Sequence, residues 1–480
     1  MTRHPTADVR KALPPDLAEG VDAGASADAA LAALLADLSH RPVPPGRLSR
    51  AWSVGSLQGR LGLAWLAYVL RSALAGADEQ QRLKNRFHAD AALRLLATMG
   101  HLRGAMTKVG QAMANYPDLL PDDFSDMLGK LHFEAPPMHF SLLREMVRHD
   151  LGGEPAALFA EFDTRPCAAA SLGQVHRARL HSGESVAVKI QYPNIRRTIE
   201  SDCRNLSMLM APMTLRKQYN DLRDKLVDVR DTLLAETDYE REAAMTTRVR
   251  QILCGEGGDP QFVVPRVHTD YSTGRILTTD FIEGLHLPDF LAAEPSQERR
   301  DRHGTQIFQA SLRLYYGARL NLSDPHPGNF LFLPDGRLGL IDFGCMREYD
   351  AAEWAFLDSA NACFEAGAPD DLVDRMTVDG CLLEGKDATD PQKLELGRRM
   401  THWLWEPLNH EGPFDFGDRE FYRRGIDLLA ECMRTGFTRS MPLYTWINRL
   451  FFGVRALLYR MGSRVDVHTI VHQEIARSRG

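Results

Sequence analysis

The stretch that most restricts the fold runs over residues 323–347, SDPHPGNFLFLPDGRLGLIDFGCMR. Two short apolar runs, 330–333 and 338–341, flank a Pro-Asp-Gly turn signal, so the stretch reads as loop, strand, turn, strand, loop. A hairpin of that length returns Asp342 to the side of Asn329. Carboxylate and amide oxygens held together suit a magnesium ion, which leaves Asp324 to face an acceptor. A purely structural hairpin with surface carboxylates is the competing reading, because proline and aspartate are common in turns.

The chain of 480 residues allows two or three domains, or one bilobal unit with extensions. Its formal charge of −7, from 57 basic against 64 acidic residues, argues against nucleic acid as the main partner. Seven cysteines without short metal-ligand spacings fit a reducing compartment better than a disulfide framework. The N-terminal residues lack the continuous apolar core of a secretory signal. The most membrane-like stretch, 57–74, is interrupted by Arg60 and Arg71 and falls short of the ~20 apolar residues of a span. With Trp65 and Tyr68 it suits a membrane interface or a protein groove.

Residues 1–50 read as a flexible lead-in, with prolines bracketing an alanine-rich patch. Over 51–135 the pattern is helical: Leu93, Leu96, Met99, Leu102 and Met106 recur at three- and four-residue steps. Lys108 and Gln111 stand one helical turn apart in this extension. Pro136 and Pro137 open a second region, 136–284. There Ala168, Ala169, Ala170 and Ser171 occupy the place of a phosphate-covering loop, and a Val-Ala-Val strand ends on Lys189. A lysine on a buried strand suits an anion such as the phosphates of a nucleotide. Three alanines put Cβ atoms where glycine would let amides turn toward phosphate, which predicts an altered nucleotide geometry.

An acidic helical stretch follows, in which Glu236 and Glu242 are both candidates to hold Lys189. Short strands are expected at 263–267 and 275–281, and residues 280–284 read as a hinge whose backbone would meet an adenine edge. A helix over 306–320 delivers the chain to Asp324. His326 reads as a loop-shaping residue. Beyond Asp342 there is no Ala-Pro-Glu signature, and the chain runs almost directly into a helix near Ala352, so a peptide-docking activation segment is missing. Residues 285–480 are expected to form a mainly helical large lobe.

Together these motifs resemble the ABC1/ADCK/UbiB (Coq8-like) family of atypical protein-kinase-like proteins. The resemblance covers roughly residues 90–350 and is carried by Lys108-Val109-Gly110-Gln111, the alanine stretch, Val186-Ala187-Val188-Lys189, Glu236-Thr237-Asp238 with Glu242, Asp324 to Asn329, and Asp342-Phe343-Gly344. It implies an α+β, bilobal protein-kinase-like fold with an N-terminal helical extension. It also implies that Lys189 contacts the phosphates of ATP (or ADP) and pairs with Glu242, while Ala168 to Ser171 restrain the nucleotide. Asp324 would take the catalytic-loop position, with Asn329 and Asp342 on Mg2+. Lys108 and Gln111 would lie over the cleft, with Lys108 meeting Glu236 of the Glu236–Asp238 motif, and would occlude a protein substrate.

The implied activity is that of an ATPase or atypical kinase supporting ubiquinone or other isoprenoid-lipid metabolism. Implied partners are an isoprenoid lipid or quinone precursor, lipid-biosynthetic proteins and a peripheral membrane surface, with a cytoplasmic location against the inner membrane. The paired C-terminal spans of many bacterial UbiB proteins are not read in this chain. A small-molecule or lipid kinase using the same residues, and a non-catalytic nucleotide-sensing scaffold, are the competing functions.

Overall fold

The computed structural model describes residues 138–170, 172–210, 227, 230–323, 325–435 and 442–479. The expectations for 1–135, with Lys108 and Gln111, and those for Ser171 and Asp324 lie outside the described residues. The chain divides into two compact units. One comprises Met1–Leu158, Phe162–His176 and Lys189–Thr237; the other comprises Phe159–Glu161, Arg177–Val188 and Asp238–Gly480.

In the first unit, helix α1 (Phe140–Leu151) starts where the His139 ring accepts from the Ser141 amide, and it ends at Gly152 in the left-handed region. It buries Leu143, Met146 and Val147 on one face and sets Phe140 against Phe162 and His176. A single turn, α2 (Pro155–Leu158), precedes strands β1 (Glu161–Phe162), β2 (Ala168–Ala170), β3 (Gly173–Arg179) and β4 (Ser185–Gln191), of which β1, β3 and β4 have residues in both units. The alanine stretch expected as a loop is therefore strand β2, paired antiparallel with β3 from Ala168↔Val175 to Ala170↔Gly173. Alanine takes extended backbone as readily as a loop, and the buried Leu172 anchors the tight connection. On β4 the two-residue period is plain: Val186, Val188 and Ile190 are fully buried, while Lys189 on the other face is half-buried. Helix α3 (Ile195–Met210) buries Ile195, Ile199 and Cys203 at four-residue steps.

The second unit contains α4 (Tyr239–Cys254), β5 (Phe262–Val263), β6 (Ile276–Asp280), α5 (Leu287–Ala292), α6 (Gln297–Ala318), β7 (Leu320–Leu322), β8 (Phe330–Phe332), β9 (Leu338–Leu340) and β10 (Met346–Glu348). Helices α7 (Ala351–Glu365), α8 (Asp370–Gly380), α9 (Pro391–Asn409), α10 (Arg419–Arg434), α11 (Pro442–Met461) and α12 (Val467–Arg479) follow, with a short antiparallel pair of strands, Phe414–Asp415 and Arg464–Val465, among them. The largest sheet has the order β1-β3-β4-β6 with β2 on β3, and smaller sheets have the orders β5-β9-β8 and β10-β7. The architecture is α+β, of the bilobal protein-kinase-like type.

Of the two strands expected at 263–267 and 275–281, the second is β6. The first shortens to β5 and runs parallel to β9, Phe262 opposite Leu338 and Val263 opposite Gly339. Pro265 has no amide to give to the ladder, so pairing stops there. Helix α6 begins earlier than 306 because Ser296 caps it, accepting from the Arg299 amide. Its Ile307, Phe308, Leu312, Leu314 and Tyr315 lie at the centre of the core. Arg313 of α6, itself buried, donates to the buried Glu474 of α12 at 3.0 Å and stands 3.4 Å from Asp259.

The expected placement in the cytoplasm against the inner membrane is corrected by the structure. Among the described residues, no helix is long and apolar enough to cross a membrane. The most apolar long helix, α11, carries Arg449, Arg455 and Arg460, and it buries Leu450, Val454, Leu457 and Leu458 in the protein core.

Candidate active site

The hairpin read from the sequence is present. A 3-10 turn, Pro327–Asn329, opens it, and the His326 ring accepts from the Gly328 amide at 3.1 Å to shape the loop. Strands β8 and β9 then pair antiparallel, Phe330 opposite Leu340 and Phe332 opposite Leu338. Gly336, at φ 84°, supplies the left-handed residue of the turn. One further bond, from the Ile341 amide to the Asn329 carbonyl at 3.1 Å, sets the backbone at Asn329 beside the residue that precedes Asp342. Both side chains are half-buried. The Asp342 carboxylate accepts from the Gly344 amide at 3.1 Å, and Phe343 is buried behind it.

Helix α4 brings a second carboxylate to the same place. Asp238 is its N-cap and accepts from the Arg241 amide at 3.0 Å, which puts Glu242 in the first turn. Glu242 is 3% exposed. A Cβ added to Gly344 would lie 3.4 Å from Glu242 Oε2 and 3.5 Å from Asp342 Oδ1. Two carboxylates thus converge on one glycine next to the Asn329 turn. Of the two glutamates left open by the sequence, Glu242 is the one beside the Asp-Phe-Gly turn. Glu236 lies buried in the turn before α4, where the neighbouring Thr237 carbonyl accepts from Gln191 Nε2 at 2.6 Å.

This donor set fits a hard cation. Carboxylate and amide oxygens are the ligands Mg2+ takes, and Mg2+ keeps waters and phosphate oxygens in its shell, so one or two protein ligands suffice. Among the described residues no group of three His, Cys, Asp or Glu side chains is placed to hold a metal ion by itself.

Lys189 and the alanine strand belong to the first unit, as does Glu236; Asp238, Glu242, Asn329 and Asp342 belong to the second. Gly173 ties β3 to the strand of Lys189: a Cβ there would lie 2.2 Å from the Ile190 carbonyl oxygen. The hinge residues run from β6 toward β8, with the Phe281 amide on the Ser185 carbonyl at 3.0 Å and the Leu285 amide on the Phe332 carbonyl at 3.0 Å. Arg177 braces this segment, expected as a hinge, by its bond to Glu283 at 2.9 Å and its position 4.5 Å over the Phe281 ring.

Three groups near the site escaped sequence reasoning. Gly173 follows the alanine stretch, and its close backbone contact is invisible in the sequence without the neighbouring strand. Arg241 and Arg248 donate to the segment after Asp342, at the Gly344 and Met346 carbonyls and at Glu348 respectively. Their spacing of seven, two turns of one helical face beside Glu242, was the available signal.

A hairpin that returns the chain beside Asn329 and an Asp-Phe-Gly turn facing a helix glutamate, in an α+β fold of the bilobal protein-kinase-like type, are features of an atypical kinase-like protein. The ABC1 atypical kinase-like domain model matches residues 130–365. The chain is 30% identical over 406 residues to the atypical kinase COQ8B, mitochondrial, of Rattus norvegicus, an alignment covering 83% of this chain and 75% of that protein. It is 31% identical over 442 residues to the atypical kinase COQ8, mitochondrial, of Saccharomyces cerevisiae, covering 89% and 84%. The structure of Rv3197 from Mycobacterium tuberculosis, solved in complex with erythromycin, superimposes with a TM-score of 0.56 at 25% identity, covering 82% of this chain and 98% of that one. The chain belongs to the ABC1/UbiB-like kinase superfamily.

Proposed function

We propose that the chain is a Mg-ATP-dependent atypical kinase or ATPase that supports ubiquinone or other isoprenoid-lipid metabolism. The observation that carries this reading is the convergence of Glu242 and Asp342 on Gly344, next to the turn of Asn329. Asn329 and Asp342 would hold Mg2+, and Lys189 would meet the nucleotide phosphates. When bound, the metal supplies positive charge that offsets the phosphate oxygens. Asp324 orients the acceptor, water or a hydroxyl, and takes its proton. Arg177, braced on Glu283 and Phe281, keeps the hinge backbone extended for the adenine edge.

The decisive measurement is ATP turnover against Mg2+ concentration, with and without a soluble quinone-head mimic, in the wild type and D342N. Loss of one charge-stabilising group is expected to lower turnover by on the order of 100-fold. Equal Mg2+-dependent turnover in both proteins overturns the assignment.

Small-molecule or lipid phosphorylation is the second reading, favoured by one feature. Cys345 alone separates Gly344 from β10, which leaves little chain for docking a peptide substrate. Labelled phosphate on an extracted metabolite or lipid supports transfer; release as inorganic phosphate only supports hydrolysis.

A further inference from the structure

We propose that Arg241 is a positioning residue for the metal loop, and that Arg241 and Arg248 together replace a phosphorylation-ordered activation segment. The proposal rests on the reading above, in which Asn329 and Asp342 serve a magnesium–nucleotide complex.

The segment after the Asp-Phe-Gly turn is held from two sides. On one side β10 pairs antiparallel with β7, Met346 opposite Leu322 and Glu348 opposite Leu320. The strand that leaves the metal loop is thereby joined to the strand that enters the catalytic loop. Tyr349 continues the lock: its amide bonds to the Arg319 carbonyl at 3.0 Å, and its hydroxyl accepts from Asn321 Nδ2.

On the other side lies α4. Arg241 Nη1 donates to the Gly344 carbonyl at 3.2 Å and Nη2 to the Met346 carbonyl at 2.6 Å. A planar guanidinium fork spans two carbonyls at once, which the compact ammonium of lysine does not reproduce. Two turns along the helix, Arg248 meets both oxygens of Glu348 at 2.7 and 2.9 Å. Glu242 follows Arg241 directly in the chain. Any movement of α4 that carried Glu242 away from Gly344 would therefore break four hydrogen bonds to the loop segment.

In conventional protein kinases, a segment after the metal loop is ordered by phosphorylation, and that ordering sets the helix glutamate and the metal aspartate. Here residues 344–352 contain no serine or threonine, and Tyr349 is 3% exposed. The segment offers no accessible hydroxyl to modify. The two arginines hold it in place permanently, so Glu242 and Asp342 stay in register without a switch.

The test uses the full chain and a fluorescent ATP analogue, titrated with Mg2+. In R241A the Mg2+ concentration for half-maximal binding should rise about tenfold, as expected for losing a charge-assisted hydrogen bond, with metal-free affinity unchanged. R241K should fail to rescue it. R248E should raise the Mg2+ requirement, and the exchanged pair R248E/E348R should bring it back. This pair decides the matter if R241A does not fold. An R241A protein with wild-type Mg2+ dependence, one whose metal-free affinity falls in parallel, or an R248E protein without effect overturns the positioning role alone. Absence of Mg2+-dependent binding in the wild type overturns the proposed function, and this inference with it.

Discussion

At the scale of single residues, Gly173 shows how a missing atom can serve the site. Its absent Cβ would sit 2.2 Å from the Ile190 carbonyl oxygen, 2.9 Å from the carbonyl carbon and 3.1 Å from Gln191 Cα. These are backbone atoms of β4, so the clash cannot be relieved by rotating a side chain. G173A must push β3 away from β4 next to Lys189, at a cost of about 1–3 kcal/mol typical of overpacking. Gly183 makes the useful contrast, because it has φ 98° and nothing within 4 Å of its would-be Cβ. G183A should cost about 1 kcal/mol through backbone strain and leave the site untouched. Thermal melts with nucleotide titrations check both: each variant melts lower, but only G173A loses ATP affinity, by about tenfold for each 1.4 kcal/mol reaching the site. Equal affinities in the two variants refute the role assigned to Gly173.

At the scale of elements, the parts with a strong local code were legible. The Pro-Asp-Gly turn between apolar runs foretold the β8–β9 hairpin, and the alternation of Val186, Val188 and Ile190 foretold β4. Elements decided by distant partners were not legible. The alanine stretch is a separate case, pairing with β3 only two residues on without a Gly or Pro turn signal, whereas β5 joined β9 far along the chain, Val263 opposite Gly339. The same limit hid Gly453 of α11, where a Cβ would lie 2.2 Å from Cγ of Pro325. Pro325 is a rigid ring just before the 3-10 turn of Asn329, so α11 is a floor on which that segment rests. Glycine in a helix interior costs about 1 kcal/mol relative to alanine. In G453A that gain is opposed by the clash, leaving the melting temperature close to the wild type, while the displaced loop should lower turnover by about 10²-fold, the loss associated with small misplacement of reacting groups. Turnover of G453A within twofold of the wild type would show that the loop does not depend on this floor.

At the scale of the whole molecule, among the described residues each unit carries one fully buried histidine whose surroundings favour the neutral ring. In the first unit, His176 Nδ1 is 2.8 Å from the Asp163 carbonyl, an acceptor, so that nitrogen carries the proton. Its Nε2 then accepts from Gln174 Nε2 at 3.2 Å, and a second proton would set two donors against each other. In the second unit, His303 Nδ1 donates to Gln306 Oε1 at 2.7 Å, while Nε2 has no hydrogen-bond partner and the ring stands edge-on to the stacked pair of Phe290 and Phe332. Burial lowers the pKa of both rings, outweighing the hydrogen bonds to Asp163 and Gln306 that act the other way. Above pH about 6.5 both rings are neutral whether the chain is folded or not, so the stability they permit is fully present. As the pH falls below that value the unfolded chain takes up protons that the folded one refuses, and stability drops by at most about 1.4 kcal/mol per pH unit for each histidine. Urea melts between pH 5 and 8 should show this loss, with its onset above the carboxylate range. H303N retains a donor at the Nδ1 position and cannot titrate, so it should flatten the slope of the second unit only; H176N should do the same for the first. An unchanged slope in both variants would show that the acid sensitivity of the fold does not come from these two rings.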